Sequence, residues 1–180
     1  MSGPQLKAVR AVLSSQYSKS FQASKCIDEK DGKSMCISKS EMAPWLALDF
    51  GRQVSVGRVV LHNRGDCCGD RLRNVDVRVS DTLPQNGSRK FTGGTLLGTF
   101  TGPSQDGRKE EIKSSTERKG RYVVVQINAG KTSYLNLAEV TVWTGNPFPA
   151  LKSCTVYPFF HFVGLTATFL NFLVKKKNVI

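Results

Sequence analysis

The clearest signal in the chain is a two-residue alternation of apolar and polar side chains, the period of a strand with one buried face. Asn74 to Ser80 alternates strictly, with Val75, Val77 and Val79 pointing one way and Asp76 and Arg78 the other. Leu137 to Trp143 alternates again: Leu137, Glu139, Thr141 and Trp143 share one face, and Ala138, Val140 and Val142 share the other. Val54 to His62 is rich in apolar residues (Val54, Val56, Val59, Leu61) and is interrupted by Gly57. Arg121 to Asn128 carries Tyr-Val-Val-Val and then Ile127, as a buried strand would. Turn clusters separate these runs: Pro84-Gln85-Asn86-Gly87-Ser88, Thr92-Gly93-Gly94 and Gly102-Pro103-Ser104. No useful helical period precedes residue 145, and no repeat is present. The pattern predicts an all-β domain over residues 1–146, a sandwich or barrel of short strands.

Beyond Asn146-Pro147-Phe148-Pro149 the character changes, and residues 147–180 read as a linker plus an apolar tail. Val156 to Val174 contains no Asp, Glu, Lys or Arg and is followed by Lys175-Lys176-Lys177. Its length suits a transmembrane helix with lysines on the cytoplasmic side. Pro158, His161 and Asn171 inside it suit the other reading, a non-native extension of the gene model. The opening MSGPQLKAVRAVLSS lacks the continuous apolar stretch of a secretory signal. Read literally it points to the cytoplasm; a missing native start is the expectation preferred here.

Composition narrows the function classes. With 180 residues and 39% hydrophobic content the chain can bury one core. Its 26 Lys+Arg against 14 Asp+Glu give +12, which favours anionic partners. The basic residues are scattered, however, without a basic helix or an aromatic-interleaved stripe, so no specific nucleic-acid partner is expected. Arg118-Lys119-Gly120-Arg121 reads as a solvated turn entering a strand, His62 as a structural residue, and Trp45 and Trp143 as core or rim aromatics. Only two histidines are present, with no nucleophile–base spacing and no phosphate-cradling glycine loop. Asp28, Glu29 and Asp31 are too close in sequence for a glycosidase carboxylate pair. An enzyme is not expected. Five cysteines (Cys26, Cys36, Cys67, Cys68, Cys154) show no zinc-ligand spacing.

Candidate chemistry concentrates in Asn63-Arg64-Gly65-Asp66-Cys67-Cys68-Gly69-Asp70-Arg71. Arg64 and Arg71 offer fixed forks of N–H donors, and Asp66 can orient the guanidinium groups by accepting from them. A pair of sugar hydroxyls matches that arrangement. Cys67 and Cys68 are adjacent, and neighbouring Cα atoms lie about 3.8 Å apart, whereas disulfides prefer roughly 4.4–6.8 Å. A bond between them would close a strained ring and present a rigid apolar knob to the C–H face or methyl group of a sugar. Arg64-Gly65-Asp66 also spells the integrin-binding tripeptide, which the sugar pattern accounts for without adhesion.

The pattern Arg-x-Asp-Cys-Cys-x-x-Arg resembles the fucose-binding signature of the F-type lectin family, and the resemblance covers most of residues 5–145. Ser14-Ser15-Gln16-Tyr17-Ser18 and Ala23-Ser24-Lys25-Cys26-Ile27-Asp28 look like the opening of a discoidin-like domain. Ala43-Pro44-Trp45-Leu46-Ala47-Leu48-Asp49-Phe50-Gly51 is similar to its Pro-Trp strand. Gly120-Arg121-Tyr122-Val123 and Leu137-Ala138-Glu139-Val140 look like its last two strands. The resemblance implies a discoidin-like jelly-roll β-sandwich that binds fucose-type glycans outside the cell, through Arg64, Asp66, Cys67, Cys68 and Arg71.

The same resemblance makes finer expectations. The family signature places a histidine, then twenty-six intervening residues, then the first arginine; the histidine position here holds Ile37, with Ser38 beside it as a partial substitute. Isoleucine cannot make the histidine's hydrogen bonds to the sugar. Calcium is the implied cofactor, with carboxylates from Asp28 and Glu139 and carbonyls from Lys25, Lys30 and Ala138. Ala138 stands where the family's second disulfide cysteine would be; Cys26–Cys36 is one replacement pairing, which would leave Cys154 over, and the pairing of the three stays open. Weak single-sugar sites gain from multivalency, which self-association would supply. The rival expectation is a discoidin-like module that binds a protein or an anionic phospholipid surface instead of sugar. A membrane contact through residues 156–174 is a separate expectation.

Overall fold

Two long strands organise the computed structural model, which describes residues 3–30, 32, 34–85 and 90–145. Asp31, Asn86 to Ser88, Cys154 and the apolar stretch Val156 to Val174 lie outside the described residues. Ten strands follow one another: β1 (Gln5–Leu6), β2 (Arg10–Leu13), β3 (Cys36–Ile37), β4 (Glu41–Met42), β5 (Trp45–Asn63), β6 (Val75–Ser80), β7 (Thr95–Phe100), β8 (Lys109–Ile127), β9 (Thr132–Ser133) and β10 (Asn136–Trp143). The main ladder runs β1-β10-β5-β8-β6-β7, with β2 on β5 and β3 on β10, while β4 and β9 form a separate ribbon. Among the described residues no helix is long and apolar enough to cross a membrane.

β5 and β8 serve both layers of a sandwich. Trp45 to Asp49 pairs with Tyr122 to Gln126 and with β2, whereas Arg58 to His62 pairs with Lys109 to Lys113 and with β10. Register shifts at Asp49/Val54 and Val56/Arg58 mark where β5 leaves one layer for the other. Gly57 sits at the second shift, where a Cβ would come within 2.3 Å of the Gly145 Cα, so only glycine fits. Leu46, Leu48, Val59, Leu61, Val123, Val125 and Val142 from the two layers meet in one core with Val75, Val77 and Val79. This is the discoidin-like β-sandwich the sequence led us to expect. Ala47 and Val124 pack outside it with Trp45 and Tyr122, under Val12, Leu83 and Phe91. That outer cover explains why Tyr-Val-Val-Val is apolar on both faces.

Two local expectations are corrected. Leu137 packs in the same core as Val140 and Val142, although strict alternation assigns it to the opposite face. A register shift between Leu137 and Glu139 on β10 supplies the extra residue that reverses the phase. Arg118 to Arg121 is not a turn but lies inside β8. The first half of β8 pairs only with β5 in its layer, and its charged side chains protect that edge from pairing with other chains.

Asp49 staples the bend of β5. Its carboxylate is almost wholly buried, accepts from Arg121 Nε and Nη2 at 2.8 and 3.0 Å and from the Gly51 amide at 2.8 Å, and lies 3.3 Å from Arg10. Hydrogen bonding from Arg121, helped by Gly51 and by the charges of Arg121 and Arg10, overcomes the cost of burial and lowers its pKa to about 2. A depressed carboxylate pKa stabilises the fold above the ordinary value and ceases to do so as pH falls through the folded one. Asp49→Asn is therefore expected to cost on the order of 2 kcal/mol at pH 7. It should also flatten the loss of stability between about pH 4 and pH 2, as read by chemical denaturation across that window.

Candidate functional site

The segment that carries the candidate chemistry begins where β5 ends and is held by its first residue. Asn63 is buried, and its side-chain amide donates to the carbonyls of Gly69 and Gln105, each at 2.9 Å. Its carbonyl oxygen accepts from the Arg64 amide at 3.0 Å. The neighbouring loop 101–108 closes from the other side. The Gly107 amide donates to the Arg64 carbonyl at 2.8 Å, and Asp106 Oδ1 accepts from the Gly69 amide at 2.6 Å. A Cβ on Gly69 would sit 2.6 Å from the Asp106 backbone nitrogen, so the approach of the two loops requires glycine there.

Within this frame Arg64 and Asp66 form a two-point pair. Arg64 Nε donates to Oδ1 and Nη2 to Oδ2, both at 2.7 Å, and Oδ1 also accepts from the Cys67 amide at 3.0 Å. Arg64 is mostly buried while Asp66 is well exposed. The hydrogen bonds from Arg64 lower the Asp66 pKa to about 2. Three of the five guanidinium N–H groups of Arg64 are left for another partner. Paired in this way, Arg64 and Asp66 do not stand apart as two ends of an adhesion tripeptide.

The expected Cys67–Cys68 bond is absent: both residues are free thiols. The short Cα spacing of neighbours opposes such a bond. A hydrogen bond that the Cys67 thiol donates to Cys68, followed by burial, instead raises the Cys67 pKa above that of an ordinary thiol. Cys68 adopts the left-handed conformation, φ 62°, and leads directly into the 3-10 turn Gly69–Arg71. That conformation costs about 1 kcal/mol outside glycine and is maintained by the braces on Gly69.

Arg71, at the end of the turn, is held differently from Arg64. Its guanidinium stacks over Tyr134 at 4.8 Å from the ring centroid. Asp66 therefore orients only one of the two arginines. Arg71 borders a cleft of about 280 Å³ with Ser40, Asp70, Arg73, Lys131 and Tyr134; Arg64 is not part of its lining. Ile37 and Ser38 are buried. The Ser38 hydroxyl donates to the Lys39 carbonyl and accepts from the Leu135 amide, both at 2.9 Å, so its one proton is already committed to the backbone. Directly opposite Ile37 in the ladder stands Asn136, 2% exposed, with neither side-chain amide atom bonded to protein. Opposed residues share a face of the sheet, so a polar group does accompany Ile37.

Residues 25–144 match the family profile of the F5/F8 type C domain, NedA-like and galactose-binding. The chain belongs to this family. It is 33% identical over 99 residues to Fucolectin-5 of Anguilla japonica, covering 55% of this chain and 49% of that protein. The F-lectin (fucolectin) from striped bass serum, Morone saxatilis, superposes with a TM-score of 0.65 at 27% identity, over 75% of this chain and 46% of that one. The lectin domain of lectinolysin complexed with Lewis B antigen gives 0.62 at 27% identity, over 78% and 95%. The chain thus spans about half the length of Fucolectin-5. The F5/F8 type C domain is a binding module and not an enzyme, and the resemblance to F-type lectins stands.

The cation that this family resemblance implies can be tested against the loop Lys25 to Ser34, which the Cys26–Cys36 disulfide closes. Ser34 Oγ, the donor in each case, lies 2.8 and 3.0 Å from the two Asp28 carboxylate oxygens and 3.4 Å from the Lys25 carbonyl, so four loop oxygens form one cluster. Asp28 Oδ1 also accepts from the Lys30 amide at 3.2 Å, and Lys25 Nζ stands 3.9 Å from Oδ2. Glu139 is buried on β10 with Ala138, and its Oε2 accepts from the Glu29 amide at 2.9 Å. No group of three His, Cys, Asp or Glu converges among the described residues. Oxygen donors of this kind, few of them carboxylates, fit a hard cation such as calcium in chemistry.

Sequence reasoning placed Asn63 in the candidate segment without a role and missed Asp106; both act between loops some forty residues apart. It also missed Tyr134, Asn136 and Ser34. For Ser34 alone a signal existed, its place inside the acidic loop. Gly69→Ala is expected to destabilise the domain by about 1–3 kcal/mol and to speed amide exchange across residues 64–71 more than in the β6 strand. Hydrogen-exchange mass spectrometry would read both.

Proposed function

We propose that this domain is a carbohydrate-binding lectin module for fucose-type glycans, acting outside the cell. The observation that carries this reading is the prepaid geometry of Arg64: a guanidinium already fixed by Asp66, with three donors unspent, beside a thiol pair and a second fixed arginine. Fixing donors before a ligand arrives lowers the entropic cost of binding. Arg64 and Arg71 would donate to sugar hydroxyls, and Cys67 and Cys68, polarizable and apolar, would lie against the deoxysugar methyl. The fucolectin from striped bass serum and the lectinolysin domain bound to Lewis B support both the ligand class and the extracellular setting.

With Ile37 at the histidine position, one hydrogen bond to the sugar is lost. Such a loss costs about 1–3 kcal/mol, or roughly 5- to 150-fold in affinity. Asn136 is the polar group nearest in register to offset it. Binding of a single sugar is accordingly weak, and self-association or neighbouring domains would raise avidity.

Calcium dependence is part of the proposal. Asp28, Glu139 and Ser34 would hold the ion with the carbonyls of Lys25, Lys30 and Ala138. When bound, it would fix the loop that the disulfide closes. Millimolar calcium is then expected to raise the unfolding temperature, and Asp28→Asn to abolish that rise, in a thermal-shift assay with and without chelator.

A glycan array separates this function from its rival. Fucosylated glycans should be retained by the wild type and lost, by at least about tenfold, in Arg64→Ala. Binding confined to anionic liposomes, with no glycan retained, would instead make this a lipid-binding member of the family.

A further inference from the structure

The cleft beside Arg71 has a composition that the neutral-sugar reading does not use. Three cations, Arg71, Arg73 and Lys131, border it against one carboxylate, Asp70. That carboxylate is already engaged: Arg73 Nη2 stands 3.4 Å from Asp70 Oδ2, and Arg73 Nε donates to the Asp70 carbonyl at 2.8 Å. Arg71 and Lys131 have no carboxylate partner among the described residues. Arg71 is fixed instead by the face of Tyr134, which leaves its N–H edge free to donate. The remaining polar lining, Ser40, Thr132 and Ser133, is neutral.

We propose that this cleft is a subsite for an anionic substituent, a sulfate ester or a carboxylate, on the sugar next to the fucose-type residue. The proposal rests on the lectin reading, because Arg71 would be shared between the two positions. It deepens that reading by naming the glycan class: acidic fucosylated chains rather than neutral ones. Planar guanidinium forks suit the paired oxygens of sulfate and carboxylate, and Lys131 adds a mobile point charge at the rim. The volume of about 280 Å³ suits one sugar residue with its substituent. Cations partly open to water are screened by salt, so the gain is moderate and depends on ionic strength.

The test is a two-by-two set of N-acetyllactosamine glycans, with and without fucose and with and without a sulfate ester. Parallel arms carry a sialic acid carboxylate. Affinities are measured on the whole chain at low and at physiological ionic strength. An acidic group should tighten binding of the fucosylated glycan about three- to tenfold, less at the higher salt. The larger increment of the sulfate and carboxylate arms identifies the preferred substituent. Lys131→Gln should remove most of this increment and Lys131→Glu all of it, with neutral fucosylated binding within about twofold of wild type. Unchanged unfolding temperatures would show that both variants fold. Equal affinity for acidic and neutral partners, or an increment that survives Lys131→Glu, would overturn the subsite. The fucose contrast is read separately: if fucose makes no difference the lectin reading fails, whatever the acidic arms show.

Discussion

The carboxamide of Asn63 is the constraint on which the site depends. One buried side chain ends β5, fixes the first residue of the candidate loop and ties that loop to the carbonyls of Gly69 and Gln105. Buried amides are costly unless they are hydrogen-bonded, so the loops cannot separate without stranding polar groups. Asp106 and the tight approach at Gly69 add to the clamp from the side of loop 101–108. The result is an end of a sandwich where two inter-strand loops behave as one surface. Sandwich folds commonly place their binding residues on such loops, over a rigid scaffold.

On that surface the two arginines are fixed by different physics. Arg64 is held by charge and hydrogen bonds to Asp66, Arg71 by stacking on Tyr134. The first arrangement persists into acid, because the hydrogen bonds from Arg64 hold the Asp66 pKa near 2. The second leaves a guanidinium edge facing a basic cleft. Cys67 and Cys68 lie between them in sequence, and the hydrogen bond that Cys67 donates to Cys68 raises the Cys67 thiol pKa. On the proposed reading, the arginines would take the hydroxyls of a small sugar, the thiols its apolar edge, and the adjoining cleft an acidic substituent.

The parts of the fold that were legible in the sequence are those whose two faces differ. Val75, Val77 and Val79 on β6 announce a half-buried strand, and the apolar run of β8 announces one covered on both sides. The first half of β8 was illegible because an exposed edge needs charge, and Lys109 to Lys119 reads as loop. The phase of β10 was misread at Leu137, since a bulge leaves no residue signature there. In the site, the residues of the loop motif could be named from their chemistry. What braces them could not, because Asn63 with Gln105 and Gly69 with Asp106 are long-range pairs. The sulfur ring was expected from adjacency alone, and adjacency also supplies the geometric reason against it. The Ser38 hydroxyl is consumed by backbone partners, a fact that only the three-dimensional arrangement contains.

The most direct measurement is a titration of the isotopically labelled domain with L-fucose, followed by amide chemical shifts. Changes should concentrate in Arg64 to Arg71, with smaller ones at Gln105 to Gly107 and Tyr134, because those segments are coupled through Asn63. A spectrum that stays unmoved at saturating sugar, or one whose shifts cluster on strands away from this end of the sandwich, would contradict the account.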